Sequence, residues 1–223
     1  GTYGIIRFNI YMFNLNYLLN YNQYINIYNY FIPLIIMFSL LSIYYCSLLT
    51  IRSIDLKKII AYSSIIHINY SIFTFFVNDN IGLNGSLFLL SSHAYISGAL
   101  FLLIGILYIR YHTRIIYNYR SLINFMPLFS LIFFFFIIAN TSIPLTASFL
   151  SELFILFSSI KYNIILTIIL SLSLIFSTIY SYWLLIKILY NQPNPLITNY
   201  LDLSLNEFLS ILPLIIITIS LGI

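Results

Sequence analysis

Three ionisable side chains stand inside long apolar runs: His67, His93 and Glu152. At helical spacing His67 shares a face with Ser63, Ser64, Tyr70, Ser71 and Thr74, a stripe of hydroxyls. His93 is flanked by Ser91 and Ser92, with Ser86 about two turns before it and Ser97 one turn after. Glu152 closes the segment Asn140-Thr-Ser-Ile-Pro144-Leu-Thr-Ala-Ser148-Phe-Leu-Ser-Glu152. Imidazole takes and gives a proton near neutral pH, and a carboxylate withdrawn from water can exchange one too. Together these residue types point to proton transfer, with His67, His93 and Glu152 as its candidate carriers. A structural reading stands beside it: a membrane histidine can simply bond a carbonyl, and Ser and Thr stripes can simply hold helices together. Glu152 resists that reading most, because an ionisable residue at mid-membrane depth costs about 2.5–3.5 kcal/mol on insertion scales and usually faces protein or water.

Composition shows why these residues are exceptional. Of 223 residues, 61% are apolar and 6% charged, with nine Lys and Arg against five Asp and Glu. So few charges cannot clothe a body of this size, which excludes a soluble globule and a disordered chain and leaves lipid as the solvent. At about 20 residues per crossing, the length allows six or seven helices. Cys46 is the sole cysteine, so neither a disulfide nor a thiolate cluster can be built, and it reads as a packing residue. No metal or cofactor ligand set stands out. The abundance of Ile, Asn, Tyr and Phe, with 21 Tyr and 20 Phe, suits an AT-rich, organelle-like coding genome.

Seven apolar stretches position these residues: 3–19, 31–51, 56–77, 81–109, 125–160, 162–189 and 207 to the end. The first is interrupted by Arg7, Asn9, Asn14 and Asn16 and reads as a partial helix, with Arg7 either an ion-pair partner or an interfacial snorkeller. The fifth is too long for one straight crossing and contains Pro144, which removes a backbone donor. It reads as a broken helix, unwound between Asn140 and Thr146. Broken helices mark ion sites in transporters, and unwound backbone survives at membrane depth only beside protein or water. The expected fold is an all-α polytopic transmembrane bundle in one membrane domain, residues 1–223, with about six full crossings and one partial N-terminal helix.

Loop charge supports this parsing. Arg52, Lys57, Lys58, Arg110, Arg114, Arg120 and Lys187 fall on one side, while Lys161 and Asp79 fall on the other. The positive-inside rule puts the basic face toward a mitochondrial matrix or bacterial cytoplasm, so the net charge of +4 reports topology and needs no nucleic acid to explain it. His112, in a basic loop, reads as solvated. The opening Gly-Thr-Tyr-Gly, without Met or signal peptide, reads as a fragment or one piece of a split subunit.

Five segments carry a resemblance in order and spacing: Tyr3-Gly-Ile-Ile-Arg7-Phe; Ile54-Asp-Leu-Lys57-Lys58-Ile-Ile-Ala-Tyr62-Ser-Ser-Ile-Ile-His67; Leu90-Ser-Ser-His93-Ala-Tyr-Ile-Ser-Gly-Ala-Leu-Phe; Leu107-Tyr-Ile-Arg-Tyr-His112-Thr-Arg114; and Ala139-Asn-Thr-Ser-Ile-Pro144 through Glu152-Leu-Phe. The chain resembles subunit 4 of mitochondrial NADH:ubiquinone oxidoreductase (respiratory complex I), one of its antiporter-like proton-pumping subunits, over residues 1–190 and more weakly beyond. An acidic residue after the proline break favours subunit 4 over subunits 2 and 5, where lysine is usual. The resemblance implies that these stretches correspond to helices eight to fourteen, that His67 and His93 lie on the central proton axis, and that Glu152 ends the outward half-channel. It implies that Lys57 and Lys58 form a matrix-side basic loop in which Asp55 pairs. It also implies that FMN, iron–sulfur clusters and quinone belong to other subunits, with none bound here. Partners would be subunits 2 and 5, other membrane-arm chains, lipids, and a chain supplying the N-terminal half. The family's central lysine would fall just before Gly1, and small departures stand at Ala94 and Ser151, where glycine is common. Two rival readings remain, an Mrp-type cation/proton antiporter subunit and a non-pumping piece of the membrane arm.

Overall fold

The computed structural model describes Gly4 and residues 22–77, 79–192 and 201–222, with side chains described from Phe31 onward. The partial helix expected at 3–19, with Arg7, lies outside the described residues. The described chain is helical throughout: α1 Asn22–Arg52, α2 Leu56–Val77, α3 Asn80–Tyr111, α4 Leu122–Phe125, α5 Pro127–Asn140, α6 Ala147–Tyr162, α7 Ile164–Leu185 running into a π turn at Ile186–Tyr190, and α8 Leu205–Ser220. Six of the seven stretches are therefore helices. Four are long and apolar enough to cross a membrane, while α5 and α8 are shorter apolar helices of 14 and 16 residues. The second stretch begins earlier than its apolar run, at Asn22, since backbone bonding carries a helix beyond the residues lipid requires.

Helix α3 runs through the middle of the bundle, touching α2, α5, α6 and α8, while α7 packs on α1, α5 and α6. Two glycines set the α3–α6 approach. A Cβ on Gly82 would meet Ser158 Oγ at 2.7 Å, and one on Gly85 would meet Phe154 Cβ at 2.7 Å and the Ser151 carbonyl at 3.1 Å. Backbones can come this close only where side chains are absent or small, the usual device for helix packing without a hydrophobic drive. Cys46 is buried in the core. Outward faces stay apolar: Phe31, Leu34, Phe38, Leu41, Tyr45 and Leu48 form one exposed stripe along α1, as a lipid solvent requires.

The two ends of the bundle differ in charge. At one end the α1–α2 turn meets the loop after α3, where the Leu56 amide donates to the Arg114 carbonyl at 2.9 Å and the Ile116 amide to the Ile54 carbonyl at 3.1 Å. The π turn carrying Lys187 touches the same loop and α4, so the basic residues on these turns share an end. Asp55 pairs there with Lys58 at 3.1 Å. His112 is exposed, with a left-handed φ of 52° that ends α3. At the opposite end Lys161 pairs with Asp79 at 3.1 Å.

A polar knot ties the basic end together. Arg110 donates to the Glu207 carboxylate and to the backbone carbonyls of Leu201 and Asp202. Glu207 closes a capping box with Ser204 at the start of α8. The Asp202 carboxylate accepts from the Leu128 and Phe129 amides at 3.0 and 3.1 Å, capping α5 from 73 or more residues away in sequence.

Candidate proton-transfer site

Helix α5 ends at Asn140 and α6 begins at Ala147, so the fifth stretch is broken where Pro144 lies. Between them Ser142 and Leu145 take positive φ values of 57° and 79°. For Leu145, which is bulky and exposed, the left-handed region is an outlier that the surroundings must enforce. Two contacts do so. The Ser148 hydroxyl donates to the Ala139 carbonyl at 2.7 Å, across the break. On the other side Gly222, in the turn after α8, lies so near that a Cβ there would overlap the Leu145 carbonyl.

The break brings Glu152 of α6 against α2 and α3. Its carboxylate Oε1 lies 3.8 Å from His67 Nδ1, and the two side chains are 12% and 3% exposed. The His67 and His93 rings sit with centroids 4.6 Å apart and planes tilted by 32°. His93 is likewise buried. The three residues singled out from sequence are therefore one cluster contributed by three helices. A separation of 3.8 Å is too long for a direct hydrogen bond, and a small rotamer change would close it. Like charges at the imidazole spacing repel, so the pair suits one proton handed between rings better than two held at once.

The cluster is rich in buried polar atoms. Both ring nitrogens of His67, Nε2 of His93, Oδ1 of Asn140, Oγ of Ser142 and Oη of Tyr180 make no close, well-aligned hydrogen bond. Their contacts are looser ones within the cluster, Asn140 with both His67 and Tyr180, and Ser142 with Glu152. Buried polar groups normally find partners, so a concentration of exceptions in one place marks a site able to hold water or a moving proton.

The hydroxyl stripe of α2 behaves differently from its expectation as a continuous series. Ser63, Ser71 and Thr74 are buried, yet each donates to a carbonyl of its own helix: Ile60, His67, and both Tyr70 and Ser71. Ser64 does the same to Ala61. A short side chain three or four residues from a free lone pair takes the local bond first. Ser86 and Ser92 bond back to Leu83 and Leu89, Ser91 is exposed and Ser97 half-buried. Tyr70 alone reaches out of the stripe, to Ser173 of α7 at 2.5 Å. Sequence reasoning does not single out Ser173 and Tyr180, although Ser173, Ser177, Tyr180 and Ser181 repeat at helical spacing and are all buried. That periodicity was the available signal.

With this geometry in place, comparison with known proteins decides the family. Residues 1–178 match the model of the NADH:quinone oxidoreductase/Mrp antiporter transmembrane family. The chain belongs to that family. Within the family, NADH-ubiquinone oxidoreductase chain 4 of Chondrus crispus is 41% identical over 224 residues, covering 100% of this chain and 43% of the relative. The same-named protein of Marchantia polymorpha is also 41% identical, with the same coverage. Among solved structures, a chain of respiratory complex I from Thermus thermophilus with bound NADH has a TM-score of 0.82 at 25% identity, covering 87% of this chain and 41% of that one. The chain thus spans less than half the length of these family members.

Proposed function

We propose that this chain is part of a proton-translocating membrane subunit of NADH:ubiquinone oxidoreductase, of the subunit 4 type, carrying its lateral axis and exit half-channel. One observation carries the reading: a break in a membrane helix delivers Glu152 to two adjacent imidazoles inside a cluster of loosely bonded buried polar atoms. Protons pass between His93 and His67 and on to Glu152, through water where side chains do not touch. Asn140 and Ser142 orient the exchanging groups. No covalent chemistry is involved. FMN, iron–sulfur clusters and quinone belong to other subunits, and this chain turns electrostatic and conformational signals from them into proton movement. Its partners are the antiporter-like subunits 2 and 5, a chain supplying the N-terminal half, and lipids. The setting is the inner mitochondrial membrane, with the basic end toward the matrix by the positive-inside rule.

The test is Glu152→Gln and His93→Ala in the assembled complex, with assembly checked first on native gels. Both variants are expected to lower proton translocation per NADH oxidised, and normal pumping by either removes that residue from the route. The family also includes Mrp antiporters. Sodium-dependent transport without NADH oxidation would favour that reading, whereas the relatives at 41% identity, named NADH-ubiquinone oxidoreductase chain 4, favour the respiratory one.

A further inference from the structure

We propose that Arg120 and Lys187 bind the phosphate of an anionic phospholipid at the basic end of the bundle, with its acyl chains laid along the outer face of α7. The site lies beyond the opposite end of α5 from the proton-transfer cluster, about 20 Å away along that 14-residue helix.

Charge accounting isolates the two side chains. The whole chain has five acids, and each is engaged: Asp55 with Lys58, Asp79 with Lys161, Glu207 with Arg110, Asp202 at the start of α5 and Glu152 beside His67. No carboxylate of this chain is therefore left for the other basic-end cations, Arg52, Lys57, Arg114, Arg120 and Lys187. The first three are exposed, so water can serve them, and the Arg114 guanidinium also lies 4.4 Å from the Tyr108 ring centroid. Arg120 and Lys187 are half-buried. Arg120 Nε is buried and makes no close, well-aligned hydrogen bond. An arginine that merely snorkels keeps its donors in water, whereas a buried guanidinium donor without an acceptor is a cost that a bound oxyanion removes.

The fold brings the two cations to one place. Arg120 lies between the short turn Ile116–Asn118 and α4, and the π turn carrying Lys187 touches both. Ile116, Leu122, Ile188 and Leu189 belong to one buried apolar cluster, which fixes these segments against each other. The Arg120 guanidinium carbon is 5.7 Å from the centroid of the exposed Tyr117 ring, which steadies it at the surface. From the π turn toward mid-membrane, Tyr190, Ile186, Tyr182, Ile179 and Ile175 are all exposed and follow one face at helical spacing. Tyr190 to Ile179 is about 16 Å along the axis, roughly one leaflet of the hydrocarbon core. Cations, aromatic rings at headgroup depth and an apolar track beneath them fit an anionic lipid, whereas a soluble anion needs the cations alone.

The test uses the assembled complex in phosphatidylcholine nanodiscs containing a photoactivatable phosphatidylglycerol, with adducts mapped by mass spectrometry. Labelling within residues 122–125 and 186–190 is expected, displaced by unlabelled phosphatidylglycerol and not by phosphatidylcholine. Lys187→Gln is expected to lower that labelling about fivefold at subsaturating probe, and Arg120→Gln/Lys187→Gln to lower it further. Lys57→Gln, which removes an exposed cation at the same end, is expected to leave it within about twofold of wild type. Equal labelling by phosphatidylcholine and phosphatidylglycerol probes overturns the proposal, as does unchanged labelling in the double variant. Displacement by inorganic phosphate would assign the site to a soluble anion, and a carbodiimide cross-link from Lys187 to a neighbouring subunit would assign it to a protein carboxylate; either overturns the lipid. Should the variants fail to assemble, lipid competition in the wild-type complex decides. Glu152→Gln is expected to leave the labelling intact, so lipid binding and proton transfer are tested separately.

Discussion

The Ser148 hydroxyl donates to the Ala139 carbonyl at 2.7 Å, joining the two halves of an interrupted helix across the gap. The last carbonyls of a helix lack intrahelical partners, and one buried in a membrane protein without any partner is expensive. Ser148→Ala should therefore destabilise the subunit by about 1 kcal/mol while leaving the volume almost unchanged. Thermal inactivation of the assembled complex measures this, and an unchanged midpoint would show that the joint carries no load.

Gly85 and Gly105 lie on the same helix and make opposite predictions. A Cβ at 85 meets Phe154 Cβ at 2.7 Å and the Ser151 carbonyl, whereas one at 105 meets nothing within 4 Å. Gly85→Ala must push α6 away from α3 and move Glu152 with it, at a cost of about 1–3 kcal/mol. Gly105→Ala should be neutral within about 0.5 kcal/mol. Both are read by detergent-dependent melting, and equal effects would contradict the packing described.

Asp202 caps α5 from a distant part of the chain, and Arg110 holds that part in place. Asp202→Ala leaves two amides uncapped and should cost about 1 kcal/mol. Arg110→Lys should also weaken the knot, because one ammonium cannot reproduce a planar fork that engages Glu207 and two carbonyls together. Protease access at residues 201–204 is the readout. Cleavage should rise in both variants, and an unaltered rate in Asp202→Ala would mean that the cap contributes nothing.

The Lys161–Asp79 pair stands mostly in solvent, with the lysine side chain 56% exposed. Exposed pairs contribute about 0–1 kcal/mol and are screened by salt. Lys161→Ala should lower the melting temperature slightly at low ionic strength and not at all in high salt. A large, salt-independent loss would require another role for Lys161.

Sequence and structure agree most closely where the signal is local. The limits of α2, the break after Asn140 and the one-sided loop charges follow from apolar length, Pro144 and Lys/Arg counts, none of which needs a neighbour. His67, His93 and Glu152 stand out in the sequence by cost, since an ionisable group in lipid must face something polar, and in the structure the three lie side by side. The spacing of the α2 hydroxyls reveals a shared face and not the partner each group chooses. Ser63 and Thr74 turn back to their own backbone, whereas Tyr70 is long enough to reach Ser173. Spacing places Tyr180 on a polar face of α7, whereas its meeting with Asn140 depends on the packing of α7 against α5, which leaves no mark on spacing within either helix.

Gly222 leaning on the Leu145 carbonyl gives the unwound segment a buttress from a helix that belongs to neither half. The turn after α8 and the kinked backbone must shift together, because neither has slack to move alone. A spin label or fluorophore attached just beyond that turn would therefore act as a gauge of the kink's posture during turnover, read from outside the buried site and without altering any residue inside it.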